Sequence, residues 1–350
     1  MSDNKIVVGI SQGDVNGIGL EVVIKTLTEP GITEICTPVL FSSQKTVSYY
    51  RKVLGLEEFN FTPIKDFTQI NHKKVNVFVC YDEEVNIEMG KLTNVGGKYA
   101  FLSLEKATQA LLDGNIQALV TAPINKSNIQ SEEFKFKGHT EYLGSKLGGS
   151  PLMLLCSENG LRVALATGHV PVKDIASSLT VEGISKKIIQ LYDSLLKDFG
   201  IRKPRIAVLG LNPHAGDNGI IGNEDKDIIT AAIELTKING ILYGPYAADG
   251  FFGNGTYKKF DGVLAMYHDQ GLIPFKTISF NDGVNFTAGL NAIRTSPDHG
   301  TAYDIAGKNI ANEQSFKTAL YTAIDIYKNR KLYNEISENP LAQSVLRKER

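Results

Sequence analysis

The chain has 350 residues, 37 Lys+Arg against 38 Asp+Glu, 33 Gly, 12 Pro and no Trp. At 42% hydrophobic and 21% charged it is too apolar for a disordered chain and long enough for two domains. A net charge of -1 excludes an electrostatic hold on nucleic acid or anionic membrane as the main partnership.

Cys36, Cys80 and Cys156 are odd in number and far apart, which fits neither a metal cluster nor a disulfide set and points to a reducing compartment. The opening Met1–Ile10 enters an apolar run without a basic leader. No uncharged apolar stretch nears the ~18 residues a membrane helix needs. A soluble cytoplasmic protein is expected.

In chain order, short β-branched runs predict strands at Lys5–Ser11, Thr37–Phe41, Val75–Cys80, Ala118–Thr121, Leu152–Cys156, Arg162–Ala166, Arg205–Leu211, Gly262–Met266 and Lys276–Phe280. Helical periodicity predicts helices at Gly19–Thr28, Gln44–Leu54, Gly97–Asp113, Val181–Phe199, Asn223–Asn239, Ser315–Asn329 and a polar tail near Leu341–Arg350. Continuous rather than alternating apolar runs mark strands covered on both faces, so the expected class is α/β with a largely parallel sheet. The stretch 60–89 is the most irregular.

Four polar loops follow predicted strands: Ala122–Lys126, Thr167–His169, Asn212–Gly216 and Tyr267–Gly271. Open α/β sheets bind ligands in that topological place. Of six histidines, His139, His169, His214 and His268 lie in such Gly/Pro/polar loops, tens of residues apart. Any one of them could be a hydrogen-bonded loop residue. Three neutral imidazoles from separate loops, with Asp249 and Asp269 in neighbouring motifs, would instead make the open coordination of a catalytic metal. Lys126, Lys276 and Arg294 supply cations for a phosphate or carboxylate.

Two glycine-rich signals disagree. Gly13-Asp-Val-Asn-Gly-Ile-Gly19 follows a strand and opens a helix, and Tyr142-x-x-x-Lys146 with Ser131 upstream completes a short-chain-dehydrogenase pattern. Against it, Gln12 replaces the usual Thr, and Phe41-Ser-Ser-Gln44 lacks the acidic ribose ligand. The second, Asp298-His-Gly-Thr-Ala-Tyr-Asp-Ile-Ala-Gly307 running on to Asn312, resembles the adenosine-binding loop H-G-S-A-P-D-I-A-G of isocitrate and isopropylmalate dehydrogenases.

Gly138-His-Thr-Glu-Tyr-Leu143, Ala164-Leu-Ala-Thr-Gly-His169, Gly210-Leu-Asn-Pro-His-Ala-Gly216, Gly244-Pro-x-x-Ala-Asp249, Ala265-Met-Tyr-His-Asp-Gln-Gly-Leu272 and Ile293-Arg-Thr-Ser296 extend the pattern over nearly the whole chain. Together these motifs resemble the 4-hydroxythreonine-4-phosphate dehydrogenase family of pyridoxal phosphate biosynthesis. The chain departs from it at Val15-Asn16, where Pro-Ala or Pro-Gly is common, and at Leu20 and Gly168.

The resemblance implies two α/β/α domains around a central cleft, isocitrate/isopropylmalate-dehydrogenase-like, one formed by 1–128 plus 303–350 on the cofactor side and one by 129–302. It implies a divalent metal (zinc, cobalt, magnesium or manganese) on His169, His214 and His268, and substrate contacts from His139, Thr140, Lys276, Asn285 and Arg294. NAD or NADP would lie against His299, Gly300, Thr301, Ala302, Asp304 and Asn312, with Asp249, Asp269 and Lys276 as catalytic candidates. A homodimer with its active site at the subunit contact is implied as well.

The expected reaction is NAD- and metal-dependent oxidation and decarboxylation of 4-phosphooxy-L-threonine to 3-amino-2-oxopropyl phosphate, carbon dioxide and NADH. Threonate or erythronate 4-phosphate is the alternative substrate within the family. A metal-dependent phosphate-ester hydrolase and a sugar-phosphate sensor are the rivals from other classes.

Overall fold

The computed structural model describes residues 5–339. Twelve strands form one sheet: β1 (Val7–Ser11), β2 (Thr37–Ser42), β3 (Phe61–Ile64), β4 (Val75–Val79), β5 (Ala118–Thr121), β6 (Gly149–Cys156), β7 (Arg162–Leu165), β8 (Arg205–Leu209), β9 (Ile241–Tyr246), β10 (Gly262–Ala265), β11 (Val284–Leu290) and β12 (Ile293–Pro297). Their order is β3-β4-β2-β1-β5-β12-β11-β6-β7-β10-β8-β9.

Pairing is parallel from β3 to β12, antiparallel at β12–β11, β11–β6 and β6–β7, and parallel again from β7 to β9. The sheet is thus two parallel halves of opposite direction joined by an antiparallel centre. β1, β5 and β10 are buried at every position, as their unbroken apolar composition requires when helices cover both faces. The helix Gln314–Ser337 packs on the centre, where Phe316, Leu320 and Ile324 join the core around Val120, Phe286 and Ile293. β12, from the segment 129–302, pairs with β5 of the segment 1–128, so the sheet runs unbroken between those segments.

Several elements differ from expectation. Lys276–Phe280 is no strand: Lys276 to Ile278 form the end of the helix His268–Ile278, which carries Pro274 inside it. Polar–apolar alternation over five residues cannot separate a strand from a helix end, and Pro274 conceals the helical period. Asn223–Asn239 is shorter than predicted, a wide-turn helix at Asp225–Thr230 continuing as Ala231–Leu235. β3, β9, β11, β12 and the helix His139–Leu147 went unread in the sequence. The tail at Leu341–Arg350 lies outside the described residues. No helix among the described residues is long and apolar enough to cross a membrane.

Candidate active site

A cavity of about 560 Å³ opens over the antiparallel centre of the sheet. Its walls come from β5 and the loop after it (Thr121, Pro123, Lys126), from the start of the helix His139–Leu147, and from the loops carrying His169 and His268. β11 adds Asn285, β12 adds Arg294 and Ser296, and Asp298, His299 and Gly300 close one side. Three of the four strand-end loops singled out in the sequence therefore meet here.

Arg294 is the most constrained of these side chains. Only 2% of its surface is exposed. Nε and Nη2 donate to Thr121 Oγ1 at 3.1 and 2.7 Å, and Nη1 donates to Thr287 Oγ1 at 3.1 Å. Burial lowers its pKa to about 9, which leaves it cationic at neutral pH. Its hydrogen-bond partners are neutral hydroxyls, and the one carboxylate that acts on it, Glu141 across the same cavity, does so through its field alone and only partly offsets the effect of burial.

Around it stand groups with unspent hydrogen-bonding capacity. His139 Nε2 and Asn285 Oδ1 are buried without a partner. Burial, then the charges of Arg294 and Lys126, hold the His139 imidazole well below its usual pKa and keep it neutral. The helix His139–Leu147 starts at Gly138 with no side-chain cap, and residues 138–141 line the cavity. Uncapped first-turn N–H groups and the positive end of the helix suit an anion. Lys276 Nζ sits 3.4 Å from Asp298 Oδ1, whose carboxyl burial pushes up in pKa against the lowering effect of Lys276.

His169 and His268 face one another with ring centres 5.7 Å apart. Two imidazoles on one ion at metal–nitrogen distances of about 2.1 Å place their centres about 5–6 Å apart, so the pair fits a shared metal. Burial first, then the nearby Lys126 and His268, lower the His169 pKa and favour the neutral ligand form. His268 Nδ1 lies 2.7 Å from Asp269 Oδ1. A carboxylate at that distance can accept from Nδ1–H, which would turn Nε2 toward a metal, the arrangement common behind metal-ligating histidines.

His214 does not line the cavity. It is exposed and begins a run of left-handed residues, His214, Ala215, Gly216, Asp217 and Asn218, with φ between 43° and 79°. Asp225 braces that turn by accepting from the N–H groups of Leu211 and Asn212 at 2.7 and 3.1 Å. Among the described residues no three His, Cys, Asp or Glu side chains gather around a single point. Asp249 is also exposed, in the helix Ala248–Gly253, and does not line the cavity.

Of the residues assigned to the cofactor, His299 and Gly300 border the cavity, whereas Thr301, Ala302, Asp304 and Asn312, later in the same loop, do not line it. Burial depresses the His299 pKa, and its Nδ1 lies 3.0 Å from the Gly300 carbonyl oxygen.

The short-chain-dehydrogenase pattern dissolves in three dimensions. Every residue from Ser11 to Val23 is buried. A side chain at Gly13, where φ is +70°, would strike the Pro123 carbonyl, and one at Gly17 would come within 2.8 Å of Thr301 O. These glycines admit neighbouring backbone, not a pyrophosphate. Tyr142 is 1% exposed in a cluster with Phe101, Phe134 and Phe136. Gln12 binds Tyr99 O, Ser42 Oγ and Tyr81 Oη instead of a ligand.

The family model of the pyridoxal phosphate biosynthetic protein PdxA matches residues 34–323. The chain belongs to the PdxA family. Among its PdxA relatives, a 4-hydroxythreonine-4-phosphate dehydrogenase of Bacteroides thetaiotaomicron is 49% identical over 350 residues, covering 99% of this chain and 96% of that one. The crystal structure of a 4-hydroxythreonine-4-phosphate dehydrogenase from Klebsiella pneumoniae is 32% identical with a TM-score of 0.78, covering 93% and 99% of the two chains. An Oceanobacillus iheyensis relative, 36% identical over 92% of this chain and 98% of its own, bears a provisional name as a D-threonate 4-phosphate dehydrogenase.

Within this PdxA-family cavity, sequence reading missed Ser296 and Asp298, which lie beside Arg294 and His299 on the chain and were passed over as flanking polar residues. Lys137, next to the Gly138-His139 motif, was missed as well. Its signal was present in the sequence: a cation immediately before an uncapped helix start.

Proposed function

We propose that this PdxA-family protein oxidises and decarboxylates 4-phosphooxy-L-threonine, giving 3-amino-2-oxopropyl phosphate and carbon dioxide, with NAD or NADP as hydride acceptor and a divalent metal. The observation carrying this reading is the buried Arg294, hydrogen-bonded only to neutral hydroxyls and facing a cavity that also holds the His169–His268 pair. An anion site beside a metal-type histidine pair is what a phosphorylated hydroxy acid requires.

Arg294, Lys126 and the first turn of the helix His139–Leu147 bind the anionic groups. Neutral His139 and Asn285 use their free atoms on the remaining polar groups, orienting the reacting carbon. His169 and His268 would hold the metal, oriented on one side by Asp269. A divalent metal held there would supply Lewis acidity toward the substrate oxygen, and a bound dinucleotide would supply the hydride acceptor. Asp269 and Lys276 both border the cavity and are the groups placed to carry the hydroxyl proton. All-histidine ligation favours zinc or cobalt over magnesium.

His214 would complete the metal site from a second copy of the chain in a homodimer. Its exposure supports this, as do the apolar side chains near the three histidine loops: Val172, Ile220 and Phe280 are each 81% exposed and Ile273 is 63% exposed.

The test follows absorbance at 340 nm with 4-phosphooxy-L-threonine and the threonate and erythronate 4-phosphates, with and without chelator. NADH formation that is fastest with the first substrate and abolished by chelation is expected. Release of inorganic phosphate without NADH would replace this reading with the hydrolase.

A further inference from the structure

The segment 298–312, which the proposed function assigns to the dinucleotide, has little order of its own. Its turns are closed by Ile305 N to Ala302 O and Lys308 N to Ile305 O at 3.1 Å. Ala302 and Asn309 sit at φ 42° and 56°, a region unfavourable to residues with side chains. Such a loop keeps one shape only if contacts from outside over-determine it.

Its base is held at Asp298 by Gly283, Lys276 and Ser315; beyond the base, the contacts come from the first 25 residues, from Met89–Gly90 and from Leu54 O, which accepts from Asn309 Nδ2 at 3.3 Å. Ile18 N donates to Thr301 O at 3.0 Å, Ala311 N donates to Glu21 Oε1 at 2.9 Å, and Lys25 Nζ donates to Ala311 O at 2.9 Å. The loop's tip is tied by one side chain: Tyr303 Oη donates to Asp14 Oδ2 at 2.7 Å. Asp14 is wholly buried, and its other donors are Asn16 N at 2.8 Å and Asn128 Nδ2 at 2.7 Å. Three donors converge on a carboxyl group that water does not reach, and hydrogen bonds to a carboxylate are stronger than those between neutral groups. Asn16, at a departure from the family motif, extends the mesh to the segment under the loop by donating to Lys91 O and Thr93 Oγ1 and accepting from Glu88 N.

Tyr303 stands where the resembling motif H-G-S-A-P-D-I-A-G has proline. Proline fixes its φ covalently. Tyrosine leaves φ free, and the bond to Asp14 supplies the missing constraint from a distance. We propose that Tyr303 and Asp14 are a positioning pair, their hydrogen bond holding the loop 298–312 in the shape that receives the adenosine half of the cofactor. This rests on the reading that the loop binds the dinucleotide.

The test compares the full-length protein with Tyr303→Phe, which keeps the ring and removes only the hydroxyl, and with Asp304→Ala, which alters the cofactor loop without touching Asp14. NADH binding is titrated by its own fluorescence, and amide exchange is followed over 299–312. In Tyr303→Phe the NADH dissociation constant should rise about tenfold, the loss of one charge-assisted hydrogen bond from a preorganised loop. Exchange in the loop should accelerate, and KM for the phosphorylated substrate should stay within about twofold. Unchanged NADH affinity in Tyr303→Phe with weakened binding in Asp304→Ala would overturn the positioning pair and leave the loop's role standing. Unchanged affinity in both would remove the loop from the cofactor site. Equal weakening toward NADH and substrate in Tyr303→Phe would show a general structural role and overturn the pair.

Discussion

Replacing Arg294 with methionine keeps most of the side-chain volume and removes the charge together with three hydrogen bonds to Thr121 and Thr287. At 2% exposure the guanidinium gains almost nothing from water, its hydrogen-bond partners are neutral hydroxyls, and Glu141 offsets its charge only in part. The free protein therefore bears a desolvation cost that a bound anion would relieve. Removing the charge costs the fold little, since an apolar replacement also ends that penalty. Substrate loses more: two charge-assisted hydrogen bonds at about 1.5–2 kcal/mol each give roughly 3–4 kcal/mol, or about 10²–10³ in kcat/KM. Steady-state kinetics at 340 nm, varying substrate and NAD separately, should place this loss on the phosphorylated substrate while KM for NAD moves by less than about threefold. Thermal unfolding should change by only a few degrees. A parallel loss toward both ligands, or a loss below about fivefold, would refute the assignment of this cation to the substrate anion.

Two further outcomes follow from the histidines. His214→Ala and His268→Ala should each be inactive, yet a refolded equimolar mixture should regain about a quarter of wild-type activity if a site takes His214 from one copy and His268 from the other. Half the dimers are then mixed, and half their sites are intact. No regain would place all ligands in one chain. His139 carries a depressed pKa in the folded state. The unfolded chain binds a proton near pH ~6.5 that the folded chain refuses, so stability falls as pH drops below that value, by up to about 1.4 kcal/mol per pH unit. Urea unfolding between pH 7 and 5 should show a shallower decline in His139→Gln, and an identical slope would contradict a neutral buried imidazole.

The α/β class was legible because buried parallel strands need unbroken apolar runs, and β1, β5, β7 and β10 have them. β11 and β12 were not, although they carry Asn285 and Arg294. β11 carries a period-2 alternation that its Asn285, Thr287 and Gly289 disguise as loop, β12 is a short polar run ending in Pro297, and their strand state is fixed by partners from other segments of the chain. Tyr142 and Lys146 reproduced a catalytic spacing while serving an aromatic core, because spacing along one helix does not say which way it faces.

The residues alone determined which side chains could do chemistry here: an arginine, lysines and histidines placed in short polar loops, and a motif set that identifies the family. Folding decided which of them meet. Arg294, His139, Asn285, His169 and His268 share one cavity because the sheet reverses direction between β12 and β7, whereas His214 is set apart on a left-handed turn. Convergence of that kind depends on strand order and direction, which arise from contacts between distant segments and leave no local period to read.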